Sequence, residues 1–230
     1  MSSVLITGSN RGIGLALATL CAARGDHVTA TCRDPNTAAE LQALAGRQPG
    51  TVAILPLDVA DAASVKALAA RLGRQAIDVL INNAGVIGPA RQSTLDMDFD
   101  GFAETLAVNT LAPLRMAQAL LPNLRRSEAG KIATITSGMG SMSYARSDRI
   151  AYRTSKAAVN KVMQGLATDL KPLGISVLLL HPGWVKTDMG GAGADISVED
   201  SARGILAQVD VLTLVRSGGF VDYAGRVMSW

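Results

Sequence analysis

Tyr152 and Lys156 stand four residues apart in Ala151-Tyr152-Arg153-Thr154-Ser155-Lys156-Ala157-Ala158. On a helix, residues at that spacing share a face. A cation close to a tyrosine favours the phenolate and lowers a pKa that is otherwise about 10, bringing proton exchange with a substrate oxygen nearer to neutral pH. Tyr-x-x-x-Lys also arises by chance on solvated helix faces, so the pair takes its weight from the rest of the chain. At the other end, Val4-Leu5-Ile6 reads as a short buried strand, followed by Thr7-Gly8-Ser9-Asn10-Arg11-Gly12-Ile13-Gly14 and an apolar helical stretch. Glycines admit close approaches that a Cβ would block, and the free N–H groups and positive dipole end of the helix attract phosphate. The spacing Gly-x-x-x-Gly-x-Gly differs from the Gly-x-Gly-x-x-Gly fingerprint, but strand, turn and pyrophosphate work in the same way. A purely structural tight turn is the plainer alternative.

The elements that must position these groups follow from apolar periodicity. Strand-like runs near residues 3 to 7, 27 to 32, 52 to 57, 77 to 82, 131 to 136 and 175 to 180 alternate with helical patterns near 12 to 24, 36 to 46, 61 to 73, 99 to 121, 149 to 170 and 198 to 212. Gly219 to Val221 offers a last short strand. Such alternation predicts an α/β fold, a doubly wound parallel sheet of Rossmann type covered on both faces, with right-handed crossovers and a ligand crevice at the strand C-terminal ends. With 230 residues, 48% of them hydrophobic, the chain is expected to form one domain, residues 1 to 230. The glycine-rich stretch Gly190 to Gly193 predicts a mobile loop, and 183 to 196 a substrate flap.

Composition narrows the function classes. No run of about 18 apolar residues is available to span a bilayer, and Met1-Ser2-Ser3 leads directly into a strand without a signal-like segment, so a cytoplasmic, membrane-free protein is expected. Cys21 and Cys32 form neither a disulfide framework nor a metal-ligand pattern; reduced thiols and no metal are expected. The formal charge of +3 is small and the basic residues are scattered, which argues against nucleic acid despite a pI of 9.1.

In order along the chain, the glycine turn, Asp58-Val59, Asn82-Asn83-Ala84-Gly85, Asn109, Ser137, the Tyr152/Lys156 pair, and Pro182-Gly183 with Thr187 resemble the short-chain dehydrogenase/reductase family over nearly the whole length. The segments Leu180 to Gly191 and Ser217 to Arg226 look like the branch containing C-factor-like and sniffer-type carbonyl reductases. By this resemblance Tyr152 is general acid in reduction and base in oxidation, and the Ser137 hydroxyl binds the carbonyl or alcohol oxygen. Lys156 lowers the Tyr152 pKa and holds the nicotinamide ribose, and Asn109 holds a water linking Lys156 to solvent. Ser137 could instead cap a turn, and Asn109 could satisfy buried backbone groups.

The resemblance also implies a dinucleotide cofactor held by Gly8, Ser9, Asn10, Arg11, Gly12, Ile13 and Gly14. Asp58 and Val59 would meet the adenine, and Asn83, Ala84 and Gly85 would wall the cofactor. Tyr152, Lys156, Pro182, Gly183, Val185 and Thr187 would meet the nicotinamide side. Where an NAD-binding protein would carry a carboxylate at the end of the second strand, this chain has Cys32 followed by Arg33. Arg11 and Arg33 could converge on a 2′-phosphate, which favours NADP; the plainer alternative is that Arg33 faces solvent or pairs with Asp34. For the substrate, Ser137, Met139, Met142, Tyr144, Trp184 and Met189 suggest an adaptable apolar pocket for a carbonyl or alcohol, or else ordinary packing. The interval from Ser137 to Tyr152 lacks the long insertion of some monomeric carbonyl reductases, so a homodimer or homotetramer is expected, paired through the long helices near 99 to 121 and 149 to 170. The expected function is an NADP(H)-dependent carbonyl/alcohol oxidoreductase; the alternative is a dinucleotide-binding sensor or signalling protein with little turnover.

Overall fold

A computed structural model describes every residue except Tyr144 and Ala192; the candidate substrate contact Tyr144 therefore lies outside the described residues. Seven strands, β1 (Ser3–Ile6), β2 (His27–Cys32), β3 (Val52–Pro56), β4 (Val79–Asn82), β5 (Lys131–Ile135), β6 (Ser176–His181) and β7 (Gly219–Asp222), form one sheet in the order β3-β2-β1-β4-β5-β6-β7. All six pairings are parallel. The order reverses direction between β1 and β4, which opens a crevice at the C-terminal ends of those strands.

Alternation along the strands divides the core in two. Val4 and Ile6 face the layer of α1 (Gly12–Ala23), α2 (Ala39–Arg47) and α7 (Val198–Asp210), while Leu5 faces α3 (Ala62–Leu72), α5 (Ala112–Leu124) and α6 (Ile150–Leu170). In β6, Leu178 and Leu180 join the first cluster and Val177 and Leu179 the second. The period of two thus serves both faces, which is why these strands read as continuous apolar runs.

The helix expected over 99 to 121 is broken. It consists of α4 (Phe99–Leu106), a π-helical turn at Ala107–Leu111, and α5. Pro113 supplies the reason: its ring crowds the carbonyl four residues back, that of Asn109, and it has no N–H to give that carbonyl. The helix expected over 36 to 46 likewise begins with a separate turn, Pro35–Thr37, before α2. Among the described residues no helix is long and apolar enough to cross a membrane.

Candidate active site

Tyr152 lies in the first turn of α6, where backbone N–H groups have no helical partner. The N-cap residue Arg149 has a left-handed backbone (φ 52°) and gives no side-chain cap. Gln92 takes over that task from a distance. Its carbonyl accepts from Ile150 N at 2.9 Å and its Oε1 from Tyr152 N at 3.1 Å, while its Nε2 donates to the carbonyls of Ile87 and Pro89 at 3.1 and 2.7 Å. One buried side chain therefore ties the loop beyond Gly85 to the turn that carries Tyr152.

One turn on, the Lys156 Nζ donates to the Ile135 carbonyl at 3.0 Å, stands 5.7 Å from the centre of the Tyr152 ring, and would lie 3.6 Å from a Cβ placed on Gly85. Burial lowers its pKa from 10.5 to about 8. Burial also raises the Tyr152 phenol above its usual value, with hydrogen bonding to Ser137 and the charge of Arg149 pulling the other way. This corrects the expectation that Lys156 holds the phenol below 10: desolvation is the largest influence, and the ammonium is hydrogen-bonded to a carbonyl at the end of β5.

Ser137 follows β5. Its oxygen accepts from Met139 N at 3.1 Å, so it caps the turn Gly138–Gly140 while its hydroxyl also meets Tyr152. The turn can press against α6 because residue 140 is glycine; a Cβ there would sit 2.7 Å from the carbonyl carbon of Lys156. Asn109, in the π-helical turn, donates through Nδ2 to the Val86 carbonyl at 2.8 Å and to Ser155 Oγ at 2.9 Å, and accepts from Val86 N at 2.9 Å. Its side chain thus satisfies buried backbone, the second of the two alternatives, and its carbonyl is denied the regular helical donor at Pro113.

The glycine turn lies across the crevice. A Cβ on Gly14 would be 2.1 Å from the Gly8 carbonyl oxygen and 2.6 Å from Asn83 Nδ2. Asn83 Nδ2 donates to the carbonyls of Thr7 and Gly8, each at 3.0 Å, and Thr7 Oγ1 accepts from the backbone of Asn83 and Ala84. Ser9 is spent inside the turn, donating to the Ile6 carbonyl at 2.9 Å, whereas Asn10 and Arg11 are exposed and Ile13 packs on the core. Helix α1 begins with no side-chain cap and no acidic residue in its first turn, so its N–H groups and dipole are free for an anion. Together with the cradle that a Cβ would fill, this fits a dinucleotide diphosphate.

Cys32 is buried at the end of β2 and Arg33 is exposed. Arg33 does not pair with Asp34, whose carboxylate accepts from Asn36 N at 2.9 Å; among the described residues Arg33 has no ion pair. Asp58 is exposed beyond β3 and accepts from Ala60 N, with Val59 half-buried beside it.

The described residues between 183 and 196 are internally bonded. Val185 is buried and bridges Ile196, Lys186 N donates to the Ile196 carbonyl, and Thr187 Oγ1 accepts from Gly190 N at 3.1 Å. The Trp184 indole donates to the Gly190 carbonyl at 2.8 Å, and the Pro182 carbonyl accepts from Ser201 Oγ. Of the candidate substrate residues, Met139 is half-buried, but Met142 (81% exposed), Trp184 and Met189 are open to solvent, forming loop surface and not a sealed pocket. Sequence reasoning missed Gln92, and also Trp230, whose carbonyl accepts from Ser141 Oγ and Met142 N at 3.2 and 3.1 Å. Neither partnership leaves a local signal, because the partners are 60 and about 90 residues away. A cleft of about 410 Å³ at the other end of the sheet is lined in part by Arg24, Asp78, Lys131 and Asp210, and these four groups already serve one another or nearby backbone.

A family model described as short chain dehydrogenase matches residues 2–195. The chain is 44% identical over 168 residues to C-signal of Myxococcus xanthus, covering 72% of this chain and all of that one. The structure of an NADPH-bound carbonyl reductase from chicken fatty liver superposes with a TM-score of 0.93 at 38% identity, covering 100% of this chain and 99% of that one. Carbonyl reductase Sniffer of D. melanogaster gives 0.92 at 34% identity, with both chains covered completely.

Proposed function

Because the chain belongs to the short-chain dehydrogenase family, we propose that this oxidoreductase is an NADP(H)-dependent enzyme interconverting a carbonyl compound and an alcohol, working as an aldehyde or ketone reductase. The observation that carries the reading is the convergence of Ser137, Tyr152 and Lys156 beside Gly85, across the crevice from the uncapped start of α1. Likeness to an NADPH-bound carbonyl reductase supports the same cofactor and reaction.

A nicotinamide dinucleotide bound there supplies the hydride. The chain supplies the rest. Tyr152, whose raised pKa keeps the phenol protonated at neutral pH, gives its proton to the substrate oxygen. Ser137 orients that oxygen through its hydroxyl. Lys156 would hold the nicotinamide ribose, and the Asn109 turn holds the water through which the proton is replaced. Arg11 and Arg33 would hold the 2′-phosphate; both are exposed, so at about three- to tenfold for each contact an NADPH preference of about ten- to a hundredfold follows. The segment 183 to 196 closes as a bonded unit over an apolar carbonyl compound, with Thr187 toward the nicotinamide. Exposed Phe99 at the start of α4 and Leu111 at the end of the π-helical turn support pairing into a homodimer or homotetramer.

The test is NADPH oxidation with a panel of apolar and carboxylated aldehydes and ketones. Turnover that prefers aromatic or medium-chain carbonyls supports the reading; none across the panel removes it. Similarity to C-signal favours a second reading, a dinucleotide-binding signalling protein. Tight NADPH binding without turnover would be its mark.

A further inference from the structure

Arg11 is the N-cap residue of α1, and Asp188 belongs to the loop after β6, 177 residues later, yet the Arg11 Nη1 donates to the Asp188 Oδ2 at 2.5 Å. Their side chains are 70% and 77% exposed, so no apolar burial forces them together. The same two segments approach each other at Gly12, where an added Cβ would stand 3.4 Å from Thr187 Cγ2. The ion pair therefore engages the Arg11 guanidinium from the loop after β6. Among the described residues, Arg11 is the one side chain that Asp188 contacts through a hydrogen bond or ion pair.

We propose that Asp188 is a specificity-determining residue, whose carboxylate competes with the 2′-phosphate of NADP(H) for the Arg11 guanidinium and so sets how strongly NADP(H) is preferred over NAD(H). The inference rests on the NADP(H) reading of Arg11 given above. A guanidinium has five donors and can touch two anions, but a carboxylate bonded to it neutralises the charge that a phosphate would meet and repels the phosphate directly. NAD(H) has no 2′-phosphate and makes no claim on Arg11. Asp188 thus bears on one cofactor and leaves the other nearly untouched.

NADPH and NADH are titrated by fluorescence against wild type, Asp188→Asn, Arg11→Ala and the double variant at low ionic strength. Asp188→Asn is expected to tighten NADPH by about two- to fivefold, the range of an exposed ion pair, with NADH unchanged. The gain should disappear in the Arg11→Ala background and shrink in high salt. Because each variant supplies its own NADPH-to-NADH ratio, a general loss of folded protein cannot imitate the result. If Arg11→Ala lowers the ratio but Asp188→Asn does not raise it, the competition is overturned while the reading of Arg11 stands. If Arg11→Ala leaves the ratio unchanged, both fall.

Discussion

Tyr152 and Lys156 are 8% and 4% exposed and held by hydrogen bonds from three other segments, whereas Arg11, Arg33 and Asp188, on the dinucleotide side of the same crevice, stand in solvent. The contrast sets the scale on which each half acts. In the buried half a charge is little screened and every polar group needs a partner, so removing one group is costly. In the exposed half each contact is worth little, is weakened by salt, and can be exchanged for another. On the proposed reading, chemistry resides where the protein fixes its groups, and cofactor selection where a guanidinium can change partners.

The largest effect should come from the buried half. Tyr152→Phe keeps the ring and removes the proton donor, so carbonyl reduction should fall by at least about a hundredfold while NADPH affinity is largely kept. Near-wild-type turnover in the purified variant would end the proposed mechanism. Lys156→Ala should impair both binding and turnover. The lysine also carries a pH signature. Its pKa is lowered in the folded protein to about 8 from 10.5, so the folded state holds this proton less tightly than the unfolded chain. Its contribution to stability is therefore fully present above 10.5, declines as pH falls toward 8, and is lost below that. Turnover should move oppositely, falling as pH rises past about 8, because the ammonium is the useful form. Lys156→Ala should remove the stability slope in that window, measured by denaturant unfolding at several pH values.

Gln92 lies at the boundary between the two regimes, buried but remote from the reacting atoms. Gln92→Ala strips partners from Tyr152 N and from the Ile87 and Pro89 carbonyls, which should cost about 1 to 3 kcal/mol of stability. A small displacement of the phenol is enough to lower kcat by about tenfold with little change in the KM for NADPH. Stability lost with kcat intact would make Gln92 a scaffold residue alone.

These cases also mark what could be read from the sequence. The glycine turn, the Tyr152/Lys156 pair and the alternating apolar runs are local patterns, imposed by turns and periodicities a few residues long, and the observed sheet follows from them. The π-helical turn was in reach, since Pro113 cannot serve the Asn109 carbonyl, yet the apolar pattern over 99 to 121 runs through it unbroken. Gln92 to Tyr152 and Arg11 to Asp188 were not legible. Each joins segments brought together only by the folded sheet, and neither residue type stands out from its neighbours. The direction of the Tyr152 shift is hidden from the sequence for a related reason: spacing reveals a neighbouring cation, while burial depends on everything packed around the pair.

The smallest effect belongs to the exposed half. Arg33 has no ion pair among the described residues and follows the buried end of β2, so its guanidinium is free to meet a 2′-phosphate. Arg33→Ala should weaken NADPH binding by about three- to tenfold and leave NADH nearly unchanged, a modest loss because the contact forms in water. Salt sharpens the comparison with the buried half. Raising ionic strength from about 0.1 M to 1 M shortens the screening length from about 10 Å to 3 Å, so the difference between wild type and Arg33→Ala should narrow, whereas the Tyr152→Phe defect should not. Titration of both reduced cofactors at the two salt concentrations decides it. A ratio indifferent to Arg33→Ala would take this residue out of the cofactor site, and a salt-independent effect would mean that its guanidinium works through packing and not through charge.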